Sequence, residues 1–271
     1  MKIHPSAIVA PKAVLADDVE IGPGVIIGDE VTLGAGCVVQ AHAIIEGKTT
    51  LGTGNLVGYG SIIGTEPQDF AFKKETVSEV RIGNGNTLRE YVTIHRGTKE
   101  GSATEVGDGC YLMVGSHLGH NVRIANRVII ANACHLAGYV EVQEGAVLGG
   151  GTVFHQFMRV GRQAMVRGGT RFGKDIVPYA MADADNFLSG INVIGLRRSG
   201  MNSETRQEIR RAFKLLFRSG LNVSQAVEQA STMPWGPEAT AFFDFVRESR
   251  RGICPANQRK GDRDEGGESI D

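Results

Sequence analysis

The chain has 271 residues, a formal net charge of −1 at pH 7, 37 glycines and only 6% aromatic residues. A nearly balanced charge gives no general affinity for nucleic acid or for acidic membrane surfaces, so neither is expected as a partner. The four cysteines form no Cys-x-x-Cys pair, which favours a reducing compartment and therefore a cytoplasmic location.

The N-terminal segment MKIHPSAIVAPKAV lacks the apolar core of a signal peptide. No later segment reaches the roughly 20 consecutive apolar residues that a transmembrane helix needs. We therefore expect no transmembrane segment.

From the N-terminus onwards, an apolar residue recurs at every sixth position. Six is not a multiple of 3.6, so this period excludes an α-helix. It is typical of a hexapeptide β-helix, in which three short parallel strands make one triangular coil. Each repeat residue should point into the core. The repeat residues are Ile21, Ile27, Leu33, Val39, Ile45, Leu51, Val57, Ile63, Ile82, Leu88, Ile94, Val106, Leu112, Leu118, Ile124, Ile130, Leu136, Val142, Leu148, Phe154, Val160, Val166 and Phe172.

Two polar stretches, residues 65–81 and 96–105, interrupt this repeat. Both are expected to leave the coil as external loops, and loops held by a rigid scaffold often carry function. The sequence therefore predicts one β-helix domain over residues 1–186 with two external loops.

Three histidines, His117, His120 and His135, lie within a short part of the repeat. Three hexads make one coil of 18 residues, so His117 should stack against His135, and His120 against Gly138. One coil further lies Gln156. Any single one of these histidines is most simply an exposed corner residue. Several together, beside a backbone opened by glycine, resemble a site.

Such a cluster favours general-base chemistry. No serine or cysteine lies in a nucleophile motif such as G-x-S-x-G, so a covalent acyl-enzyme is not supported. A histidine can instead take a proton from a substrate hydroxyl at neutral pH. Main-chain N–H groups at a glycine corner could stabilise the oxyanion of a tetrahedral intermediate.

Beyond the repeat, residues 187–252 are predicted to form a C-terminal helical domain. One helix should span residues 203–220, with Ser203 as N-cap and Gly220 just after its end. Two more are predicted around residues 223–231 and 237–250. Residues 253–271 are polar and are expected to be disordered.

The first of these helices is rich in basic residues. Such a run is most often a solvated face, but it could also steer an acidic protein towards the chain at a rate that depends on ionic strength. The basic residues are Arg206, Arg210, Arg211, Lys214 and Arg218.

The chain resembles the bacterial acyl-(acyl-carrier-protein)–UDP-N-acetylglucosamine O-acyltransferases, the first enzymes of lipid A synthesis. The resemblance covers residues 1–252 and is carried by the motifs PQD, VTIHRGT, SHLGHN, IIANACHLAG, VFHQF, KDIVPY, NVIGLRR and AFKLLFRSG. It implies a left-handed β-helix and a homotrimer whose active sites lie in the clefts between neighbouring subunits. It also implies acyl-carrier protein as donor, a UDP-amino-sugar as acceptor, and neither a cofactor nor a metal.

The resemblance assigns roles to individual residues. His120 would be the general base, and the backbone N–H of Gly138 would help to hold the oxyanion. Gly168 would mark the far end of the acyl-chain groove, where the absence of a side chain favours long chains of about 14 carbons. Residues in contact with the sugar nucleotide or the donor would be Asp69, His117, His135, His155, Gln156, Asn192 and Arg198.

Four positions depart from the family pattern. Asn121 follows the base where Asp is usual, and Tyr139 follows the oxyanion glycine where His is usual. Ala71 stands in place of a loop Lys, and Ile194 in place of Glu. The acyl-transfer residues are therefore kept while polar contacts to the acceptor are lost. A different nucleotide-sugar acceptor, or an acyl-CoA donor, is the alternative reading.

Two other classes were weighed. A γ-type carbonic anhydrase shares this fold and binds zinc through three histidines, which His117, His120 and His135 could supply. That family has His-x4-His spacing, however, and lacks three C-terminal helices. A catalytically inactive scaffold would leave unexplained why the motifs GHN and HQF lie 36 residues apart.

Overall fold

The computed structural model describes residues 1–256, which contain 28 short strands and four helices. The strands in the first half of the chain are Lys2–Ile3 (β1), Ile8–Val9 (β2), Val14–Leu15 (β3), Glu20–Ile21 (β4), Ile26–Ile27 (β5), Val31–Leu33 (β6), Val38–Val39 (β7), Ile44–Ile45 (β8), Lys48–Leu51 (β9), Leu56–Val57 (β10), Ile62–Thr65 (β11), Glu79–Ile82 (β12), Thr87–Leu88 (β13) and Thr93–His95 (β14). Those that follow are Ala103–Val106 (β15), Tyr111–Leu112 (β16), His117–Leu118 (β17), Arg123–Ile124 (β18), Ile129–Ile130 (β19), His135–Leu136 (β20), Glu141–Val142 (β21), Val147–Leu148 (β22), Val153–Phe154 (β23), Arg159–Val160 (β24), Met165–Val166 (β25), Arg171–Phe172 (β26), Ala180–Ala184 (β27) and Phe187–Ile191 (β28).

These strands wind into a left-handed parallel β-helix with three flat sheets. Through the regular coils each strand pairs in parallel with the strand three places further along the chain, which gives sheets of 11, 9 and 8 strands. The predicted fold class is therefore confirmed. All of the repeat residues from Ile21 to Phe172 are at most 3% exposed, so the hexad period does mark the core.

The corners of the coils require unusual backbone. At one edge, successive coils turn through Asn121, Tyr139 and Phe157, whose φ angles are +60°, +61° and +66°. Residues other than glycine rarely adopt this left-handed conformation, which costs roughly 1–2 kcal/mol each. A column of three such side chains consequently runs along this edge.

Both predicted loops are present, but each is shorter at its C-terminal end. The first occupies residues 66–78 and the second residues 96–102, because β12 and β15 pair with each other in register, Glu79 with Ala103 and Ile82 with Val106. The guanidinium of Arg96 lies over the ring of Phe72, 5.2 Å from its centroid, and so joins the second loop to the first.

The helices are Val193–Arg198 (α1), Ser203–Arg218 (α2), Val223–Ser231 (α3) and Pro237–Arg247 (α4). The prediction of Ser203 as N-cap is wrong by one residue: the side chain of Asn202 accepts from the N–H of Thr205 and caps α2. Gly220, with φ +81°, follows the C-cap as predicted. Within residues 1–256 no helix combines the length and the apolarity needed to cross a membrane.

The boundary between the two parts differs from the predicted one. Strand β28 pairs antiparallel with β27 and extends the sheet to Ile191, so the helices begin at Val193 rather than at residue 187. Helix α1 was not predicted, and α4 ends at Arg247 instead of residue 250.

The predicted disorder from residue 253 onwards is wrong for residues 253–256. There the chain returns to the β-helix, where the N–H of Cys254 donates to the carbonyl of Asp175 at 2.8 Å and that of Leu188 to Pro255 at 2.9 Å. Residues 257–271, for which disorder was also predicted, lie outside the described residues.

Candidate functional site

An open cleft of about 410 Å³ lies along strands β14, β17, β20 and β23, which are neighbours in the nine-stranded sheet. The predicted stacking is confirmed, since His117 pairs in register with His135. Polar side chains and glycines line the cleft together. They are Gln68, His95, His117, His120, His135, Gln156, Gly119 and Gly138.

The imidazole of His120 has a defined tautomer. Its Nδ1 lies 3.1 Å from the side-chain oxygen of Asn121. That oxygen also accepts from the N–H and the hydroxyl of Thr98, at 3.0 and 3.1 Å. Because an amide oxygen only accepts, Nδ1 must carry the hydrogen. The lone pair of His120 is therefore on Nε2, where it can take a proton.

Gly138 makes room for this imidazole. A Cβ atom at residue 138 would lie 2.3 Å from Cε1 and 2.5 Å from Nε2 of His120, much closer than carbon atoms pack. The N–H groups on either side, of Ala137 and Tyr139, donate to the carbonyls of Phe154 and His120. In the backbone bonding of residues 1–256 the N–H of Gly138 has no such acceptor, so it remains available to a ligand.

Two further histidines form an uncharged floor to the cleft. Burial, and secondarily the neighbouring His95 and His135, lower the pKa of His117 to about 4. Burial likewise lowers the pKa of His95, with a smaller contribution from His120. Nδ1 of His117 is 2.7 Å from the hydroxyl of Thr93. At neutral pH these rings offer hydrogen bonds to a polar ligand but no positive charge.

The lowered pKa of His117 predicts an acid-sensitive fold. In the unfolded chain this ring would titrate near its ordinary value of 6.5, so between about pH 6.5 and 4 the unfolded state binds a proton that the folded state does not. Stability should be full above pH 6.5 and should fall as the pH decreases, by up to about 1.4 kcal/mol per pH unit from this residue. We expect His117→Asn to lose less stability between pH 7 and 5 than the unmodified protein in urea unfolding. Exposed His4→Asn is the control, and equal pH slopes for all three proteins would contradict the assignment.

An aromatic pair borders the cleft at the column of left-handed corners. The ring of Tyr139 meets that of His120 edge to face at 5.2 Å and stacks on Phe157 at 4.8 Å. Its hydroxyl is 3.2 Å from that of Thr98. Two of the positions that depart from the family pattern, Asn121 and Tyr139, thus both contact His120.

Four of the predicted contact residues do not line the cleft. The carboxylate of Asp69 accepts from the N–H of Ala71 within its own loop, and His155 Nδ1 is 3.2 Å from the carbonyl of Gln156. Asn192 caps α1 and donates to the carbonyl of Gln163, while Arg198 is exposed in the last turn of α1. One chain alone does not bring these side chains to His120.

Gly168 lies in a turn after β25 and not on a strand, so the expectation that Arg167 faces the opposite side of a strand does not apply. A Cβ atom at residue 168 would lie 2.8 Å from the carbonyl oxygen of Gly150 on the neighbouring coil. Close packing between the coils thus requires glycine here, independently of any ligand.

Three residues of the site were not predicted: His95, Gln68 and Thr98. His95 is buried and meets His117 edge to face, with ring centroids 5.0 Å apart. The register across the second loop is 24 residues and not 18, as the pairing of Thr93 with His117 shows. Counting 18 residues therefore misses His95, although it stands in the motif VTIHRGT.

In the described part of the chain, no group of three or more His, Cys, Asp or Glu side chains is placed to hold a metal ion. All four cysteines are free and buried. The zinc-enzyme alternative thus has no ligand set in residues 1–256.

Known proteins resemble this chain over most of its length. A profile of the family described as "Udp N-acetylglucosamine O-acyltransferase; Domain 2" matches residues 175–254. The chain is 40% identical over 259 residues to the acyl-(acyl-carrier-protein)–UDP-N-acetylglucosamine O-acyltransferase of Burkholderia orbicola, an alignment that covers 93% of this chain and 98% of the relative. It is 34% identical over 259 residues to the protein of that name from Campylobacter concisus, covering 95% and 98%.

Solved structures agree. The UDP-N-acetylglucosamine acyltransferase of Francisella novicida has a TM-score of 0.90 at 34% identity, covering 95% of each chain. That of Bacteroides fragilis has a TM-score of 0.88 at 40% identity, covering 93% of this chain and 99% of the other.

Proposed function

The chain belongs to the family of the acyl-(acyl-carrier-protein)–UDP-N-acetylglucosamine O-acyltransferases, and on that premise we propose that it acylates the sugar 3-hydroxyl of UDP-N-acetylglucosamine. The donor is an acyl, or 3-hydroxyacyl, group on acyl-carrier protein, and the reaction is the first step of lipid A synthesis. The observation that carries this proposal is the free Nε2 of His120, which faces a cleft beside the unpaired N–H of Gly138.

The reaction follows from these two groups. Nε2 of His120 takes the proton of the sugar hydroxyl as its oxygen attacks the thioester carbonyl. The resulting oxyanion accepts a hydrogen bond from the N–H of Gly138. The carbon–sulfur bond then breaks, and the leaving thiolate takes the proton back from the imidazolium. No acyl-enzyme and no cofactor enter this scheme.

A coupled assay tests the proposal. Purified protein is incubated with acyl-carrier protein carrying a 3-hydroxyacyl chain and a panel of UDP-sugars, and the free thiol is measured. We expect the greatest kcat/KM with UDP-N-acetylglucosamine. The exposed Ile194 and Ala71 remove two polar groups that the family pattern would provide, so a preference for another UDP-amino-sugar is the alternative outcome. Turnover with acyl-CoA but not with acyl-carrier protein would overturn the proposed donor.

The donor is also supported by helix α2. Arg210, Arg211 and Lys214 are exposed along it, although Arg211 has a partner in Glu208 at 3.6 Å. Such a face complements an acidic carrier protein, and long-range attraction of this kind weakens as salt is added. The same assay should therefore show kcat/KM for the carrier-protein donor falling with ionic strength.

We predict that the protein is a homotrimer with C3 symmetry. The cleft is open in one chain, and Asp69, Asn192 and Arg198 point elsewhere, so a neighbouring copy would have to bring such residues to the site. Light scattering should give a mass close to three times the 29.0 kDa of the chain. A stable monomer with full activity would contradict this prediction.

The length of the acyl chain offers a further prediction. If the groove ends at Gly168, Gly168→Met should shift the preferred donor from about 14 towards about 10 carbons, because each buried CH₂ contributes about 0.8 kcal/mol. The contact with Gly150 strains any side chain here, so Gly168→Ala is the matched control. We expect both variants to lose thermal stability and only Gly168→Met to change the preference. An equal shift in both variants would remove the proposed ruler.

A further inference from the structure

His120 is the end of a chain of hydrogen bonds that reaches the second external loop. Asn121 Oδ1 accepts from Nδ1 of His120 at 3.1 Å, and from the N–H and hydroxyl of Thr98 at 3.0 and 3.1 Å. The hydroxyl of Thr98 is in turn 3.2 Å from that of Tyr139. The backbone of Asn121 is held separately, because its N–H donates to the buried hydroxyl of Thr104 at 2.8 Å.

The direction of each bond is fixed by its acceptor. Asn121 Oδ1 only accepts, so the hydroxyl of Thr98 donates to it. The same hydroxyl oxygen is then left to accept, and Tyr139 must be its donor. The order is therefore Tyr139 O–H to Thr98, Thr98 O–H to Asn121, with His120 Nδ1–H donating to Asn121 from the other side.

An asparagine can support a general base only in one of its two orientations. With its oxygen towards His120 it selects the Nδ1–H tautomer, which leaves Nε2 free. Rotated by 180°, its NH₂ group would face Nδ1 and favour the Nε2–H tautomer, which cannot take a proton. A carboxylate presents an oxygen in both orientations and needs no such control.

We propose that Thr98 and Tyr139 are positioning residues that hold the Asn121 amide with its oxygen towards His120 and so keep the base in its active tautomer. The two donors of Thr98 fix the amide, and the hydroxyl of Tyr139 fixes the rotamer of Thr98. The three neutral groups together do what a carboxylate at residue 121 would do alone. This inference rests on the proposed role of His120.

The test compares Thr98→Val in two backgrounds. In the unmodified protein we expect Thr98→Val to lower kcat by about three- to tenfold, the size of one neutral hydrogen bond, with KM changed less than about twofold. Tyr139→Phe, which keeps the ring, should have a smaller effect in the same direction. Thr98→Ser, which keeps the hydroxyl, should restore activity. In the Asn121→Asp background Thr98→Val should cost less than about twofold.

A structural readout is independent of turnover. Solid-state ¹⁵N spectra of histidine-labelled protein, with His120 assigned from the His120→Ala spectrum, report which ring nitrogen carries the hydrogen. We expect Nδ1–H in the unmodified protein and an increased share of Nε2–H in Thr98→Val. The controls are Tyr91→Phe, at another left-handed corner, and Thr87→Val, on β13; both should leave kcat and the spectrum unchanged.

The outcomes separate the two proposals. No turnover of any UDP-sugar by the unmodified protein would remove the proposed function, while the spectra would still decide the tautomer. The positioning role is overturned if Thr98→Val leaves kcat unchanged, if it costs the same with Asp as with Asn at residue 121, or if the tautomer of His120 does not respond.

Discussion

His120→Ala is expected to lower kcat for acyl transfer by about 10²–10⁴-fold, the usual contribution of a general base. The variant loses the nitrogen that takes the proton, while the oxyanion donor at Gly138 stays in place. The imidazole lies in an open cleft and is no part of the repeat core, so the melting temperature should change little. The KM for the acceptor should change less than kcat, because proton transfer is needed in the transition state and not for binding.

The measurement is single-turnover kinetics with acyl-carrier protein and UDP-N-acetylglucosamine, alongside thermal unfolding. His4→Ala is the control, because His4 is exposed and bonds only to nearby Ser6. A loss of less than tenfold in a folded His120→Ala protein would show that another group takes the proton.

Gly138→Ala is expected to lower kcat by at least about 10²-fold with the fold intact. The new methyl group would lie 2.5 Å from Nε2 and 2.3 Å from Cε1 of His120, so the ring must rotate away. Rotation breaks the bond from Nδ1 to Asn121 and moves the base off the attacking hydroxyl. A displacement of about 1 Å at a reacting group can cost about 10²-fold. The clash is with the end of a side chain, so the backbone need not move.

Gly173→Ala is the matched control for that variant. Residue 173 lies on the same β-helix, but the nearest atom to a new Cβ there is 3.9 Å away, and its backbone is not left-handed. It should keep full activity and the same melting temperature as the unmodified protein. Full activity in Gly138→Ala would show that the working enzyme does not hold His120 against residue 138.

The β-helix could be predicted because its cause is a strict period. One inward residue in every six is needed to fill a triangular core, and each of the repeat positions is buried. The ends of the loops could not be predicted in the same way. They are set by pairing between Glu79–Ile82 and Ala103–Val106, two segments that lie outside the uninterrupted repeat and whose alternation is short.

The same reasoning explains which parts of the site were predicted. His117 and His135 follow each other by one regular coil, so arithmetic on the sequence brings them together. His95 and Thr98 flank the start of the second loop, where that arithmetic fails. The capping residue of α2 was misassigned because Asn202 and Ser203 are both good N-caps, and only the bond to Thr205 distinguishes them.

The two ends of the β-helix give its unfolding a direction. In a repeat protein each coil is stabilised by its neighbours alone, so loss of structure starts at an uncovered end and spreads like a zipper. The first coil is uncovered, with Ile3, Ile8 and Val14 between 42% and 64% exposed. The last coil is closed by residues 253–256, whose backbone bonds to Asp175 and Leu188. Opening therefore proceeds from the N-terminus, and the coils that carry His120 lie far from the end that frays.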